Sequence, residues 1–334
     1  MTESLSKNRA GRTPPTEGND QGTTQKKPLP DVGNRPAIHG TSAETGIPKV
    51  LDSIATGILQ KIRLILIEQE NAYQRGCEGE AFSSIWAHSA RVACIAHHIA
   101  TREGWQQEPA LLAGLLHDSG KFVQGRYHEN NTPEEEHAVR IARKVLMDSA
   151  YEKWLPTITD AILSTFLEAE ATNDIGRAVY DADSLDKLGH MGVAQFFVKR
   201  ALRRQFLDNA LLIRAGTELT YARHAPDTLM TATGRSMARM RASRTHRFYK
   251  ELLEEWMEAG IGAFTLQKKE IAGIACDLVV PLACRCGELL TVDSDILDSL
   301  KCWSAVITYH CPACGFENKF SFCLPNIKGL PRKR

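Results

Sequence analysis

The feature that most constrains this chain is a series of helical apolar stripes that histidine and aspartate interrupt. Between residues 49 and 262, apolar residues recur at intervals of three and four, which places them on single faces of α-helices. The polar interruptions are His88 in one stripe, Asp181 in another, and the adjacent pair His117 and Asp118 at the end of a third. The pattern predicts a mainly α-helical bundle with polar groups in its interior.

These interior groups require a compensating charge, because a carboxylate inside an apolar core costs several kcal/mol. Imidazole and carboxylate are also the ligands that many divalent cations bind, so converging stripes could share one cation. Taken singly, each residue has a simpler interpretation. A lone histidine can be a hydrogen-bonded core residue, and Asp181 can accept hydrogen bonds from a helix N-terminus or pair with an arginine.

Three segments resemble the HD-domain superfamily of metal-dependent phosphohydrolases: WAHSARV at 86–92, LLHDSGK at 115–121 and YDADSLD at 180–186. The resemblance extends over about residues 80–258. The H…HD…D signature of the family corresponds here to His88, His117, Asp118 and Asp181. It implies an HD-type helical bundle in which these four residues bind a divalent metal, with Mn, Mg, Co or Fe as candidates.

Helical geometry separates the three aspartates of the last segment. Asp183 lies about 200° around the helix from Asp181, and Asp186 lies about 140° from it. Only one of them is expected to point into the site, and the apolar stripe selects Asp181. Asp183 and Asp186 are then expected to cap, to form salt bridges or to support the ligands.

The resemblance also indicates catalytic candidates. Asp118 is the carboxylate nearest to an attacking water, and Lys121, one helical turn further, could reach a phosphate or could be an exposed lysine. His137 lies where some HD enzymes begin a second metal site, but no histidine follows it before His190. A single ion is therefore expected, with His137 facing the substrate or serving the structure. His128 is a weaker candidate for substrate contact.

The C-terminal part reads as a separate β unit because short β-prone runs follow residue 270. Four cysteines there are spaced as in a zinc ribbon: Cys284, Cys286, Cys311 and Cys314. Four thiolates indicate a structural Zn²⁺ with no open position. The possible substitutes for one ligand are Cys276, Cys302, Cys323 and His310. The module could dock a nucleic acid or a protein, or cap the helical domain.

The expected organisation is a disordered tail at 1–48, an HD-type domain at 49–265, the zinc-ribbon-like module at 270–326 and a basic tail at 327–334. The 334 residues contain no apolar run long enough to span a bilayer, so no membrane partner is expected. The N-terminus lacks the apolar stretch of a secretory signal, and the nine cysteines cannot all pair. Both features favour a cytoplasmic location.

The favoured function is metal-dependent hydrolysis of a phosphoester or phosphoanhydride, with a nucleotide as the expected small-molecule partner. One alternative is a catalytically weak sensor of a phosphorylated ligand. Another is a nucleic-acid-binding protein or nuclease, since residues 199–250 contain twelve Lys and Arg against three acids, including Arg235 and Arg239 on one helix face. The hydrolase prediction requires the Asp181 carboxylate to lie within bonding reach of the His117–Asp118 pair.

Overall fold

The computed structural model describes residues 48–76, 85–126, 132–165, 170–284, 286–290 and 304–325. The predicted N-terminal tail up to residue 47, His128, Cys302 and the predicted basic tail lie outside the described residues.

The described part of the chain forms ten α-helices and four β-strands. The helices are α1 (Thr56–Gly76), α2 (Ile85–Glu103), α3 (Gln107–Leu116), α4 (Glu134–Leu146), α5 (Leu155–Leu163), α6 (Asp174–Asp186), α7 (Gly189–Leu202), α8 (Asn209–Ile213), α9 (Ala215–Thr228) and α10 (Ala232–Glu258). The strands are β1 (Phe264–Ile271), β2 (Ile274–Pro281), β3 (Ser304–His310) and β4 (Glu317–Cys323). The prediction of a mainly α-helical protein with a small β module is confirmed.

The centre of the helical bundle is formed by α2, α3, α5 and α6, in which α3 and α6 contact each other and both of the other two helices. Every residue of α3 from Pro109 to Leu116 is buried, as expected for a helix that is apolar all round. Gly114 allows α2 and α3 to approach closely, because a Cβ atom at this position would lie 2.6 Å from the Cα of Ala93. This close packing fixes the end of α3, where His117 and Asp118 follow.

A second core joins α7, α8, α9 and α10 to the β1–β2 hairpin. Ala272 and Gly273 connect the two strands with positive φ angles of 51° and 77°, as a two-residue type I′ turn requires. Asp277 of β2 forms an ion pair with Arg223 of α9. The predicted division between 265 and 270 therefore falls within β1, whose partner strand packs against a helix of the bundle.

The second hairpin pairs β3 with β4 in antiparallel register, from Ser304 opposite Cys323 to His310 opposite Glu317. β4 also contacts β2 and α9, and the hydroxyl of Thr217 in α9 donates to the carbonyl of Cys323. In the ranges that the structure describes, no helix has both the length and the apolar composition needed to cross a membrane.

Substitution of Gly114 tests the close contact between α2 and α3. We expect Gly114→Ala to lower the free energy of unfolding by about 1–3 kcal/mol, because the added methyl group overlaps the backbone of Ala93. Gly57→Ala in α1 is the control, since no atom lies within 4 Å of the added methyl group. Chemical denaturation measures both, and equal stability of the two variants would contradict the packing.

Candidate metal centre

Four side chains from three separate segments converge at one point inside the bundle. Nε2 of His88 lies 3.4 Å from Oδ2 of Asp118 and 3.4 Å from Oδ1 of Asp183. Nε2 of His117 lies 3.6 Å from Oδ1 of Asp118. Ligand atoms of His88, His117 and Asp183 all lie within 4.8 Å of one another, a spacing that suits a shared metal ion.

His117 is held so that one ring nitrogen faces the cluster. Its Nδ1 lies 2.8 Å from the carbonyl oxygen of Gly114, which can only accept, so Nδ1 carries the proton and Nε2 carries the lone pair. Nε2 is buried and has no hydrogen-bond partner among the residues that the structure describes. A buried acceptor without a partner is costly, and a cation bound to the lone pair would remove that cost. The donor set therefore fits a divalent metal.

His88 is oriented by the buried carboxylate of Asp186. Nδ1 of His88 lies 2.8 Å from Oδ2 of Asp186, which leaves Nε2 directed at Asp118 and Asp183. Arg91 donates to both oxygens of Asp186, and Gln195 donates to Oδ2 over 2.9 Å. Such a carboxylate–histidine pair commonly fixes the orientation of a metal-binding ring.

The prediction that Asp181 joins this cluster is wrong. Oδ1 of Asp181 accepts from the backbone N–H of Met230, and Oδ2 accepts from the N–H and the hydroxyl of Thr231. Asp181 thus binds the N-terminus of α10, the simpler of its two interpretations. Asp183, about 200° away on the same helix, supplies the carboxylate that the hydrolase prediction required.

The assignment failed because α6 has no single inner face. Ten of its residues are buried, and the helix contacts α2, α3 and α5 as well as α10. The apolar stripe therefore identified the buried face that carries Asp181 and missed the opposite face, which carries Asp183. Thr231 and Gly234 form the site that receives Asp181. Thr231 caps α10, and a Cβ atom at Gly234 would lie 2.2 Å from Oδ2 of Asp181.

The three predicted catalytic residues lie in different relations to the centre. Asp118 belongs to it, and Lys121 donates to Oδ2 of Asp118 over 2.8 Å. His137 packs against Gly120, two residues after Asp118, and its buried Nε2 forms no hydrogen bond within the described part of the chain. Its contact with a substrate stays a prediction.

Two groups near the centre were missed by sequence reasoning. Lys187 donates to Oδ2 of Asp183 over 2.8 Å. Glu135, beside His137, has its pKa raised by burial and by the nearby charge of Asp118. The repeated acids at 134–136 hid Glu135, because a charge run at a helix start is usually solvated.

The charges of the centre favour ionised carboxylates. Burial raises the pKa of Asp118, but Lys121, His117 and His88 outweigh it and hold the pKa well below its ordinary value. Burial lowers the pKa of His117. Burial also acts to lower the pKa of His88, but its contacts with Asp183 and Asp186 outweigh burial and raise this pKa. The centre therefore offers anionic oxygens together with the His117 imidazole, whose neutral form is the one that binds a metal.

The basic stretch at 199–250 is partly structural. The guanidinium of Arg235 donates to the carbonyls of Leu229 and Met230, and that of Arg241 donates to the carbonyl of Leu185. Arg239 is exposed. Fewer of these cations are therefore available for a basic binding surface than the sequence indicated.

The four predicted cysteines form a second cluster. The sulfurs of Cys284 and Cys314 lie 3.7 Å apart and those of Cys286 and Cys311 lie 3.6 Å apart. A tetrahedral ion with Zn–S bonds of about 2.3 Å separates its sulfurs by about 3.8 Å, so the cluster has the size of a zinc site. A backbone hydrogen bond from Cys286 is the main factor that lowers the pKa of Cys284 to about 6.

Two of the possible substitute ligands bind elsewhere. Cys276 is buried in β2, where its thiol contacts the carbonyl of Ile274, and the thiol of Cys323 contacts the carbonyl of Leu324. Gly287 and Gly315 follow the two cysteine pairs with φ angles of 90° and 69°, the left-handed conformation that glycine allows at tight turns.

Separate substitutions of Asp181 and Asp183 on α6 test the centre. We expect Asp183→Ala to lose the divalent ion of the helical domain. Asp181→Asn should keep the ion, but it should lower the free energy of unfolding by about 1–3 kcal/mol because it weakens the hydrogen bonds to the start of α10. Metal analysis and thermal unfolding measure the two effects. Loss of the ion in Asp181→Asn alone would contradict this geometry.

The cysteine cluster is tested by Cys311→Ser. We expect this variant to lose zinc and to destabilise the β3–β4 hairpin, while the helical domain keeps its ion. Cys323→Ser is the matched control and should retain zinc, because its thiol lies outside the cluster. Loss of both metals in Cys311→Ser would show that the two sites are coupled.

Comparison with known proteins gives a family match for part of the chain. A model of the HD domain matches residues 85–188. No curated protein matches the sequence. Among solved structures, a predicted HD superfamily hydrolase from an uncultured Thermotogales bacterium is 23% identical, with 65% of this chain and 98% of that one covered and a TM-score of 0.43.

An HD-superfamily hydrolase from Bacillus thuringiensis is 18% identical over 60% of this chain and 98% of its own, with a TM-score of 0.42. YpgQ from Bacillus subtilis is 18% identical over 59% and 96%, with a TM-score of 0.41. The family match spans all four groups of the centre, and residues 85–188 are therefore an HD domain.

Proposed function

We propose that the chain is a metal-dependent phosphohydrolase acting on a phosphoester or phosphoanhydride, with a nucleotide as the expected class of substrate. The observation that carries the proposal is the convergence of two Nε2 atoms and two carboxylates, with Nδ1 of each histidine held by another acceptor. His88, His117, Asp118 and Asp183 would hold the ion, with Mn, Mg, Co or Fe as candidates. When bound, a divalent cation supplies positive charge for phosphoryl oxygens and lowers the pKa of water.

The remaining chemistry belongs to side chains around the centre. Asp118 is the carboxylate that would orient or deprotonate the attacking water, because its oxygens lie within 3.4–3.6 Å of the Nε2 atoms of the two histidines. The ammonium groups of Lys121 and Lys187 flank the two carboxylates. They can draw a phosphate towards the centre as point charges and offset charge that develops on its oxygens.

The cysteine cluster has a structural role in this proposal. Four thiolates fill the coordination of zinc and leave no position for a substrate. Zinc would tie the loop after β2 to the β3–β4 hairpin, and the same surface remains a candidate for docking a protein or nucleic acid.

A catalytically weak sensor is the second candidate. It is favoured by the surroundings of His137, which packs against Gly120 in the turn after His117 and Asp118. The sequence has no histidine between His137 and His190 that could complete a two-metal site of the kind found in some HD enzymes. A sensor would bind a phosphorylated ligand through the same groups without rapid turnover.

The hydrolase and the sensor are distinguished by measuring turnover of a panel of phosphoesters and nucleotides with Mn²⁺, Mg²⁺, Co²⁺ or Fe²⁺. We expect hydrolysis by the wild type, and Asp118→Asn should lower kcat by about 10²–10⁴-fold because the acceptor for the water proton is lost. Asp174→Asn is the control, as Asp174 lies on α6 but is solvent-exposed. Tight binding without turnover under every metal would contradict the hydrolase and favour the sensor.

A further inference from the structure

Two lysines lie on the solvent side of the metal centre. Lys121 donates to Oδ2 of Asp118, and Lys187 donates to Oδ2 of Asp183. The side chains of the two lysines are 28% and 47% exposed, so their ammonium groups can be reached from solvent. An ion bound by Asp118 and Asp183 would compensate these carboxylates, which would leave the ammonium groups for the oxygens of a substrate.

A third lysine approaches the same region from α7. Gln195 faces the centre, because its side-chain amide donates to Oδ2 and to the carbonyl oxygen of Asp186. Lys199 lies four residues further, about one helical turn along the same face of α7. Burial lowers the pKa of Lys199, and the charges of Lys187 and Lys121 lower it further. Because such repulsion requires proximity, ammonium groups from three separate segments share one region.

The surroundings of Lys199 are those of a cleft. Its side chain is exposed to solvent, although the protein around it is dense enough to lower its pKa. A charged group that is both crowded by protein and open to solvent lies in a concave part of the surface. Clefts that collect charges of one sign concentrate the electric field and attract ligands of the opposite sign.

The acids around Lys199 attract it without binding it. Asp183, Asp186 and Glu218 interact with its ammonium group electrostatically. In the part of the chain that the structure describes, none of the three forms an ion pair or a hydrogen bond with Lys199. Asp183 and Asp186 have closer partners of their own, namely Lys187, His88 and Arg91.

Glu218 on α9 is the acid that these cations share. Burial raises the pKa of Glu218, and the charges of Arg200, Lys199 and Lys187 act in the opposite direction. One carboxylate divided among three cations does not neutralise them. Lys199 is therefore positioned to gain from an anion that enters the cleft from solvent.

The arrangement of the lysines selects this anion. A monoester presents one phosphoryl group, which the metal ion and the two lysines beside it can bind. A third ammonium group adds affinity only when the substrate carries charge beyond that group, as a chain of phosphoryl groups does. A nucleic acid also carries several phosphates, but it needs cations along a strand, whereas these three lysines surround one centre.

We propose that Lys199 binds the phosphoryl group next to the one held at the metal centre, so that the chain prefers nucleoside diphosphates or triphosphates to phosphate monoesters. This role rests on the proposed phosphohydrolase function and narrows its substrate class. Lys199 lies outside residues 85–188, which the HD-domain model matches, so the preference does not follow from the family match.

Calorimetric titration of the full chain with two phosphonates in the presence of Mn²⁺ tests the proposal. Methylenediphosphonate carries two linked phosphonate groups and methylphosphonate carries one, and neither has a bond that a phosphohydrolase cleaves. Lys199→Gln should weaken binding of the diphosphonate about tenfold, because a hydrogen bond to a charged group is lost. Binding of methylphosphonate should change less than about twofold, since Lys199 does not reach the first group. Titration of Mn²⁺ alone corrects for binding of the phosphonates to the free ion.

Three further variants separate the charge of Lys199 from a structural role. Lys199→Arg keeps the cation and should keep most of the affinity for the diphosphonate. Lys250→Gln is the matched control and should bind like the wild type, because Lys250 is an exposed lysine that pairs with Glu254 within α10. Glu218→Gln should bind the diphosphonate at least as tightly as the wild type, because it removes an acid that competes for Lys199.

Unchanged binding of the diphosphonate in Lys199→Gln would overturn the proposal, and so would an equal loss for both phosphonates. Weaker binding in Glu218→Gln, or tighter binding of a single-stranded oligonucleotide through Lys199, would also overturn it. These results do not depend on turnover. If the wild type hydrolysed nothing but lost the diphosphonate in Lys199→Gln, only the hydrolase would be contradicted. If it hydrolysed substrates but bound the diphosphonate without Lys199, only the role of Lys199 would be contradicted.

Discussion

The structure depends on how the charges of three buried carboxylates on α6 are compensated. These carboxylates point in different directions. Asp181 and Asp186 are almost completely buried, and Asp183 is largely so. Removing a carboxylate from water costs several kcal/mol, so each needs partners of its own. The N-terminus of α10 binds Asp181, Lys187 and His88 lie against Asp183, and Arg91, Gln195 and His88 bind Asp186.

These pairings also explain how the elements around α6 are held. Asp186 ties α6 to α2 through Arg91 and to α7 through Gln195. Asp181 ties it to the start of α10, and Arg241 of α10 donates to the carbonyl of Leu185 near its end. The groups that carry the candidate chemistry are therefore oriented by the same contacts that order the bundle. A substitution of Asp186 should therefore disturb stability and metal binding together, because Asp186 ties three helices and also orients the ring of His88.

Much of the site could be predicted from the sequence because its determinants are local. Helical spacing located α2, α3 and α6, and the His-Asp pair follows directly on an apolar helix. Cysteine spacing located the second cluster. The choice between Asp181 and Asp183 could not be made in this way, since it depends on which neighbour each helix face meets.

The central claim is that one cation is shared by two imidazole nitrogens and two carboxylates. Anomalous diffraction at the Mn absorption edge, from crystals grown with Mn²⁺, tests it most directly. The account predicts a peak about 2.0–2.3 Å from Nε2 of His88 and His117, with oxygens of Asp118 and Asp183 completing the protein ligands. A peak whose ligands include Asp181, or no peak between the two histidines, would contradict it.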